Sequence, residues 1–274
     1  ILSGMIIGVG MFGIPFSFVA AGFWLGVLEL TVLTGLMALI HLLYARIILA
    51  TPLPHRLPGY VRLHLGGYAE VLAVLSSFFG IIGSLLAYIL VGSIFLHNIF
   101  QGFWTGSSEM FWAVVITSSS ALVTLFGLKK EALIDSVLSA ALIAFLGYII
   151  FLLFPQVRVE NFSGINLSEA FLPYGVLLFA LAGSAAIPDV VAILKRDSKK
   201  ISRAVLAGTF IPAIIYFLFA FAVGGAMGSG VSEEAVGSLK NIMSANSFLV
   251  LGIVGFLAVY DSYIILNSNA QALL

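Results

Sequence analysis

Ile6-Ile7-Gly8-Val9-Gly10-Met11-Phe12-Gly13-Ile14-Pro15 sets three glycines and a proline inside an otherwise apolar run. In a helix interior glycine costs about 1 kcal/mol and proline about 3 kcal/mol. Proline is cheap only at the start of a helix, where its missing N–H would have no partner anyway. The economical reading is a half-helix ending near Gly8, an unwound stretch, and a second half-helix starting near Pro15. The pattern recurs: residues 10–15 and 183–188 (Gly183-Ser184-Ala185-Ala186-Ile187-Pro188) both read G-x-x-x-I-P. Before the second copy lie the small residues of Phe179-Ala180-Leu181-Ala182. Helices interrupted at matching places in two halves of a chain mark an inverted-repeat transporter, with its site at the interruptions. Small residues also serve helix contacts, and proline kinks are ordinary in membranes. Two breaks in corresponding spans favour a site.

Composition fixes the solvent. The 274 residues are 61% hydrophobic and 9% charged, with mean hydropathy +1.18. Soluble domains carry about 25% charged residues, so this chain is a polytopic membrane protein. Its formal net charge is zero, which gives nucleic acid no attraction, and the absence of cysteine removes disulfides and thiolate chemistry. Residue 1 is Ile and the first apolar run begins at once, so the sequence reads as lacking its N-terminus.

A spanning helix needs about 20 apolar residues. Eight segments qualify, near 1–21, 24–50, 68–101, 109–128, 131–154, 170–194, 201–227 and 245–268. With the N-terminus cytoplasmic, one side collects Arg46, Arg56, Arg62, Lys129, Lys130, Lys195, Arg196, Lys199, Lys200 and Arg203. The other side keeps Arg158 and Lys240. That bias orients the chain. Residues 51–67 read as a cytoplasmic loop and 228–244 as an external one.

The stretch from Ser3 to Pro15 resembles the first-helix signature of amino acid permeases in the amino acid–polyamine–organocation superfamily. The amino acid/auxin permease and bacterial aromatic amino acid permease branch is the most similar. Leu177 to Asp189 is similar to that branch's substrate helix. The resemblance implies the leucine-transporter fold, an all-α inverted repeat with helices 1 and 6 broken. The first five-helix repeat would cover 1–154, and an incomplete second repeat, helices 6–8, would cover 170–274. Helices nine and ten are missing from that plan, so the sequence reads as a fragment. It further implies that segments 1, 3, 6 and 8 line the pathway and that neutral or aromatic amino acids are carried, driven by H⁺ or Na⁺. The plasma membrane is the expected location, and no cofactor or resident metal is expected beyond a possible coupling Na⁺.

The expected substrate site combines Gly8, Val9, Gly10, Met11, Phe12 and Gly13 of the first break with Phe179, Ala180, Gly183 and Ser184 of the second. Exposed N–H groups at the first break suit a carboxylate, and carbonyls freed at the second suit an ammonium. Phe12 and Phe179 are placed to form an apolar pocket or gate. Tyr88, mid-span in the third segment, has a hydroxyl that would meet a carboxylate, or else packs as an amphipathic side chain. Ionisable groups inside a span are expensive and default to function. Asp261, with Ser262, lies in the eighth segment, which in the related fold faces the first break and helps form a cation site. These two residues, with Gly8, are the expected ion-coupling set, although an Asp paired with a Tyr hydroxyl would serve structure alone. Asp189, just after Pro188, suits the start of a half-helix or a gate. Glu29, Glu70, Asp135 and Glu169 lie near segment ends, and His97 and Asn98 near an interface.

Three rivals differ in class. A carrier of another small organic solute would use the same architecture. Tyr260-Asp261 would fit half of an intramembrane aspartyl protease, but that chemistry needs a second Asp sharing a proton, and the Gly-x-Gly-Asp partner motif is absent. A channel would show a filter sequence or charge rings. No enzyme is expected, and the sequence leaves oligomeric state open.

Overall fold

The computed structural model of the protein describes residues 1–104, 106–126 and 131–271, excepting the side chains of 123–139, 241, 261, 264–265 and 267–271. Every regular element described is helical. In chain order they are α1 (Leu2–Ile6), α2 (Ile14–Ala21), α3 (Phe23–Ala50), α4 (Leu57–Leu65), α5 (Gly67–Phe100), α6 (Glu109–Phe126) and α7 (Glu131–Leu153). There follow α8 (Leu172–Ala180), α9 (Ile187–Ile193), α10 (Ser198–Met227) and α11 (Ala245–Gln271). Four helical stretches among the described residues are long and apolar enough to cross a membrane: Phe23–Ala50, Gly67–Phe100, Leu167–Ile193 and Ser198–Gly230. Shorter apolar helices at Val9–Ala21, Glu109–Leu122, Ala140–Gln156 and Ala245–Tyr260 complete the order expected from sequence.

The long helices are apolar all round and sort their faces by what they touch. Along α3, Leu30, Leu33, Met37, His41, Tyr44 and Ile48 are buried, whereas Trp24, Leu28, Val32, Leu36, Leu39 and Leu43 are exposed. The exposed set recurs at steps of three and four and so forms one stripe. An exposed apolar stripe of this length belongs against lipid.

Two groups of helices position the site. The helix α3 packs on α10, α8, α9 and α2, and α10 also packs on α1, α2 and α7. The long α5 runs along α11 and α6, and α11 also packs on α7. Glycines permit the close approaches. A Cβ on Gly255 of α11 would lie 2.6 Å from the Phe95 ring of α5, and one on Gly26 of α3 would lie 2.5 Å from the Phe18 ring of α2. Interdigitation of this kind holds helices where lipid removes the hydrophobic drive to associate.

The 51–67 connection departs from the loop reading, because it contains α4. Pro58 sits in its first turn, Gly66 ends it at φ +85°, and Tyr60 is buried against Tyr44 at 5.9 Å between ring centroids. A nine-residue amphipathic helix of this kind forms through its buried aromatic face, a tertiary contact that loop composition conceals. Arg62 pairs with Glu70 at 3.5 Å across the turn into α5.

The C-terminal ends of α3 and α9 are tied by one guanidinium. Arg196 Nη2 donates to Ile48 O, Leu49 O and Thr51 O at 3.1, 2.7 and 3.1 Å, satisfying carbonyls that the end of α3 leaves free. Lys195 and Arg196 take φ of +50° and +61° to bring this about, a backbone region that disfavours side chains. Next in the chain, Asp197 caps α10. The Lys200 N–H and, less strongly, the Lys199 N–H, with the Lys200 ammonium 3.3 Å away, hold its carboxyl below the usual carboxylate range. The Arg196→Ala variant should lose about 1 kcal/mol, the net worth of one hydrogen-bonded tie. Thermal unfolding in detergent reads it as a lowered midpoint.

Candidate functional site

Both breaks are built alike. The half-helix α1 ends at Ile6, Gly8 is extended at φ −137° and ψ −160°, a 3₁₀ turn covers Val9–Gly13, and α2 starts with Pro15 in its first turn. The half-helix α8 ends at Ala180, Gly183 leaves the helical region, a 3₁₀ turn covers Ser184–Ala186, and α9 starts with Pro188 in its first turn. The expected end near Gly8 and restart near Pro15 each fall within two residues of those observed.

The breaks are pressed against each other through their glycines. A Cβ on Gly10 would lie 2.8 Å from Ala180 Cα and 2.9 Å from the Phe179 ring. Reciprocally, a Cβ on Gly183 would lie 2.7 Å from the Leu2 side chain and 2.8 Å from that of Ile6. At Gly10 the nearest atom is backbone, so a side chain there would force one break to move, whereas at Gly183 the neighbours are side-chain ends that can shift. Gly13 differs, since its nearest neighbour would be Val176 at 3.5 Å.

One hydroxyl joins the two half-helix ends. Tyr216, fully buried on α10, reaches Ile6 O at 2.5 Å and Ala180 O at 3.1 Å. These are the last residues of α1 and α8. Helix ends leave carbonyls without partners, and in a membrane interior each such group costs several kcal/mol. Sequence reading did not single out Tyr216. The two acceptors lie 210 and 36 residues away along the chain, so no local pattern could mark it.

Tyr88 of α5 lies beside the first break. Its hydroxyl lies 3.7 Å from the Cβ position of Gly8, and it is placed beside Ser262 of α11. Ser262 itself donates to Ala258 O at 3.0 Å. Gly8, Tyr88 and Ser262 therefore converge from the first break, α5 and α11. The Asp261 side chain lies outside the described residues, as does that of Asp135.

Burial divides the remaining expected residues. Gly8, Gly10, Gly13, Phe179 and Ser184 are partly accessible, whereas Val9, Met11, Phe12, Ala180 and Gly183 are buried. Phe12 turns into the core, edge-on to Phe95 at 5.1 Å and to Phe219 at 6.4 Å. Phe179 beside Gly10 is the better-placed ring for contact with a ligand. Ser184 belongs to the second break, in a turn that packs on α3 and α9. Glu29 differs from a solvated end residue: it is half-buried, and its Oε2 has no hydrogen-bond partner among the described residues.

Two helices broken in their middles, meeting at glycine contacts beside tyrosines from α5 and α10, form a leucine-transporter-like fold. The fold comparison agrees. Mhp1, a nucleobase-cation-symport-1 family transporter solved in a closed conformation with bromovinylhydantoin bound, matches with a TM-score of 0.68 at 16% identity. That match covers 97% of this chain and 62% of the other. The family model for tryptophan/tyrosine permeases matches residues 1–266. The chain belongs to the tryptophan/tyrosine permease family, a membrane permease family.

Two curated relatives add detail. Glutamine transporter 2 of Aliivibrio fischeri is 24% identical over 229 residues, 82% of this chain and 59% of that protein. Tyrosine-specific transport system 2 of Haemophilus influenzae is 25% identical over 232 residues, 83% of this chain and 57% of that protein. The chain thus spans less than three fifths of the length of either relative.

Proposed function

We propose that this protein is a secondary active transporter of amino acids, neutral or aromatic in side chain, working by cation-coupled alternating access. The observation that carries the reading is the junction of the two breaks: interlocked glycines, with both half-helix ends gathered on Tyr216. The substrate lies at this junction. Its carboxylate meets the N–H groups that open the Val9–Gly13 turn, where no partner exists within the turn. Its ammonium meets carbonyls of the second break, and Phe179 bounds its side chain. The coupling ion is H⁺ or Na⁺. The N-terminal end of α1 is cytoplasmic, as the loop charges require, and the plasma membrane is the location.

Relatives named as glutamine and tyrosine transporters support an amino acid over another organic solute, and transport over intramembrane proteolysis. Uptake by proteoliposomes of a labelled amino acid panel tests the reading, with pH and Na⁺ gradients imposed separately. One pH unit stores about 1.4 kcal/mol per proton, enough for about tenfold accumulation at one-to-one coupling. Accumulation of one amino acid class under one gradient is the expected result. No uptake under either gradient would overturn the amino acid assignment.

A further inference from the structure

His41 lies well inside α3, with none of its surface exposed. Its Nδ1 is 3.1 Å from Thr209 Oγ1 on α10, itself fully buried. The Thr209 hydroxyl gives its single proton to Val205 O at 3.0 Å. The threonine oxygen is therefore left to accept, and the imidazole must donate through Nδ1–H. That fixes the neutral tautomer and leaves a lone pair on Nε2, a buried atom with no hydrogen-bond partner among the described residues. A base held in one orientation, inside a membrane span and with its free nitrogen unmatched, is an expensive arrangement that invites a function.

The surroundings supply no fixed charge to explain it. Neither α2 nor the Ser184–Ala186 turn carries an ionisable residue. Tyr174 of α8 and Asp189 of α9 are exposed, Tyr216 of α10 gives its hydroxyl to the breaks, and Arg203, Lys199 and Lys200 sit at the start of α10. On α3 itself Glu29 lies twelve residues before His41, and Tyr44 and Arg46 lie toward the far end. The pair is nevertheless linked to the first break. Next to Thr209, Gly208 receives the Leu2 side chain, 2.7 Å from its Cβ position, and its carbonyl faces the Ser3 hydroxyl at 3.4 Å. A cavity of about 280 Å³ lined by Leu2, Ser3, Val190 and Gly208 reaches the residue beside Thr209.

We propose that His41 is the residue that takes up and releases a proton in the transport cycle. This rests on the transporter reading and names its ion site. Nε2 takes up H⁺ to give an imidazolium, Nδ1–H stays on Thr209, and the same proton leaves Nε2 on the other side of the cycle. Histidine suits the task because its charge changes near physiological pH. Through Gly208, the helix turn that holds Thr209 also seats α1, so protonation acts on the half-helix that ends at the substrate site.

Two measurements test this. In proteoliposomes, His41→Gln should lose the roughly tenfold accumulation that one pH unit supports while retaining exchange of labelled for unlabelled substrate. Accumulation retained in His41→Gln, and lost only in Asp261→Asn, would overturn the proposal. The second measurement does not depend on that variant folding or on the substrate assignment. The chain has four histidines, so His55→Gln, His64→Gln and His97→Gln together leave His41 as the single ¹⁵N-labelled imidazole. Its Nε2 resonance should move from the neutral to the protonated range as the pH is lowered over the range in which the protein stays folded. A ring that stays neutral throughout overturns the proposal. A ring that titrates in a protein transporting no amino acid would sink the transport reading and leave the proton site standing.

Discussion

Replacing Gly10 with alanine should cut substrate uptake by about 5- to 150-fold, and replacing it with leucine should abolish uptake. The new Cβ would stand 2.8 Å from the Cα of Ala180. Backbone cannot swing aside as a side-chain tip can, so one break must move relative to the other. Overpacking of this kind costs roughly 1–3 kcal/mol, which at 1.4 kcal/mol per tenfold gives the stated range. The loss should appear in substrate affinity, because displacement of the first break pulls its N–H groups away from the second break. Gly13→Ala is the matched control. Its Cβ would meet Val176 at an ordinary 3.5 Å, and uptake should stay within about twofold of the parent, as expected for a change that neither strains packing nor opens a cavity. Equal losses in both variants would mean that helix propensity, rather than contact between the breaks, sets the requirement for glycine.

The Tyr216→Phe variant should be strongly damaging for the removal of a single atom. It leaves Ile6 O and Ala180 O buried without their shared donor. An unsatisfied buried acceptor costs about 1–3 kcal/mol, and because one proton serves both carbonyls the loss should be about that of one hydrogen bond. A phenylalanine ring keeps the packing, which confines the effect to the hydroxyl. Thermal unfolding in detergent should show a lower midpoint, and uptake should fall with it. The hydroxyl has one proton for two acceptors, so its loss loosens both breaks together. A variant of unchanged midpoint and unchanged uptake would show that the two carbonyls are satisfied without it.

The breaks were legible because their signals are local. Gly8, Gly10, Gly13 and Pro15 declare by their own backbone preferences where a helix fails and where it restarts, and Pro188 repeats the declaration. The apolar segments were legible for a similar reason, since length and hydropathy suffice for a span. The helix α4 escaped notice because it depends on Tyr60 packing against Tyr44, which composition cannot reveal. Tyr216 and His41 escaped for a stronger version of the same reason. Each acquires its meaning from partners on other helices: Ile6 and Ala180 for the tyrosine, Thr209 for the histidine. His41 did carry one readable sign, an ionisable residue far inside an apolar segment. Phe12 shows the converse limit. Its place within the break suggested a pocket wall, but side-chain direction in an unwound stretch follows from tertiary packing, and the ring faces Phe95 and Phe219.

The sequence contains no cysteine, which makes single-thiol accessibility the most direct probe of a substrate held between the breaks. Ser184→Cys puts a thiol in the second break, partly accessible, and Ser198→Cys puts one at the exposed start of α10. The rate of labelling by a small charged thiol reagent is measured in proteoliposomes with and without each transported amino acid. A transported amino acid should slow labelling at position 184 and leave position 198 unchanged. Labelling at position 184 that ignores every amino acid the protein carries would contradict a substrate held between the breaks.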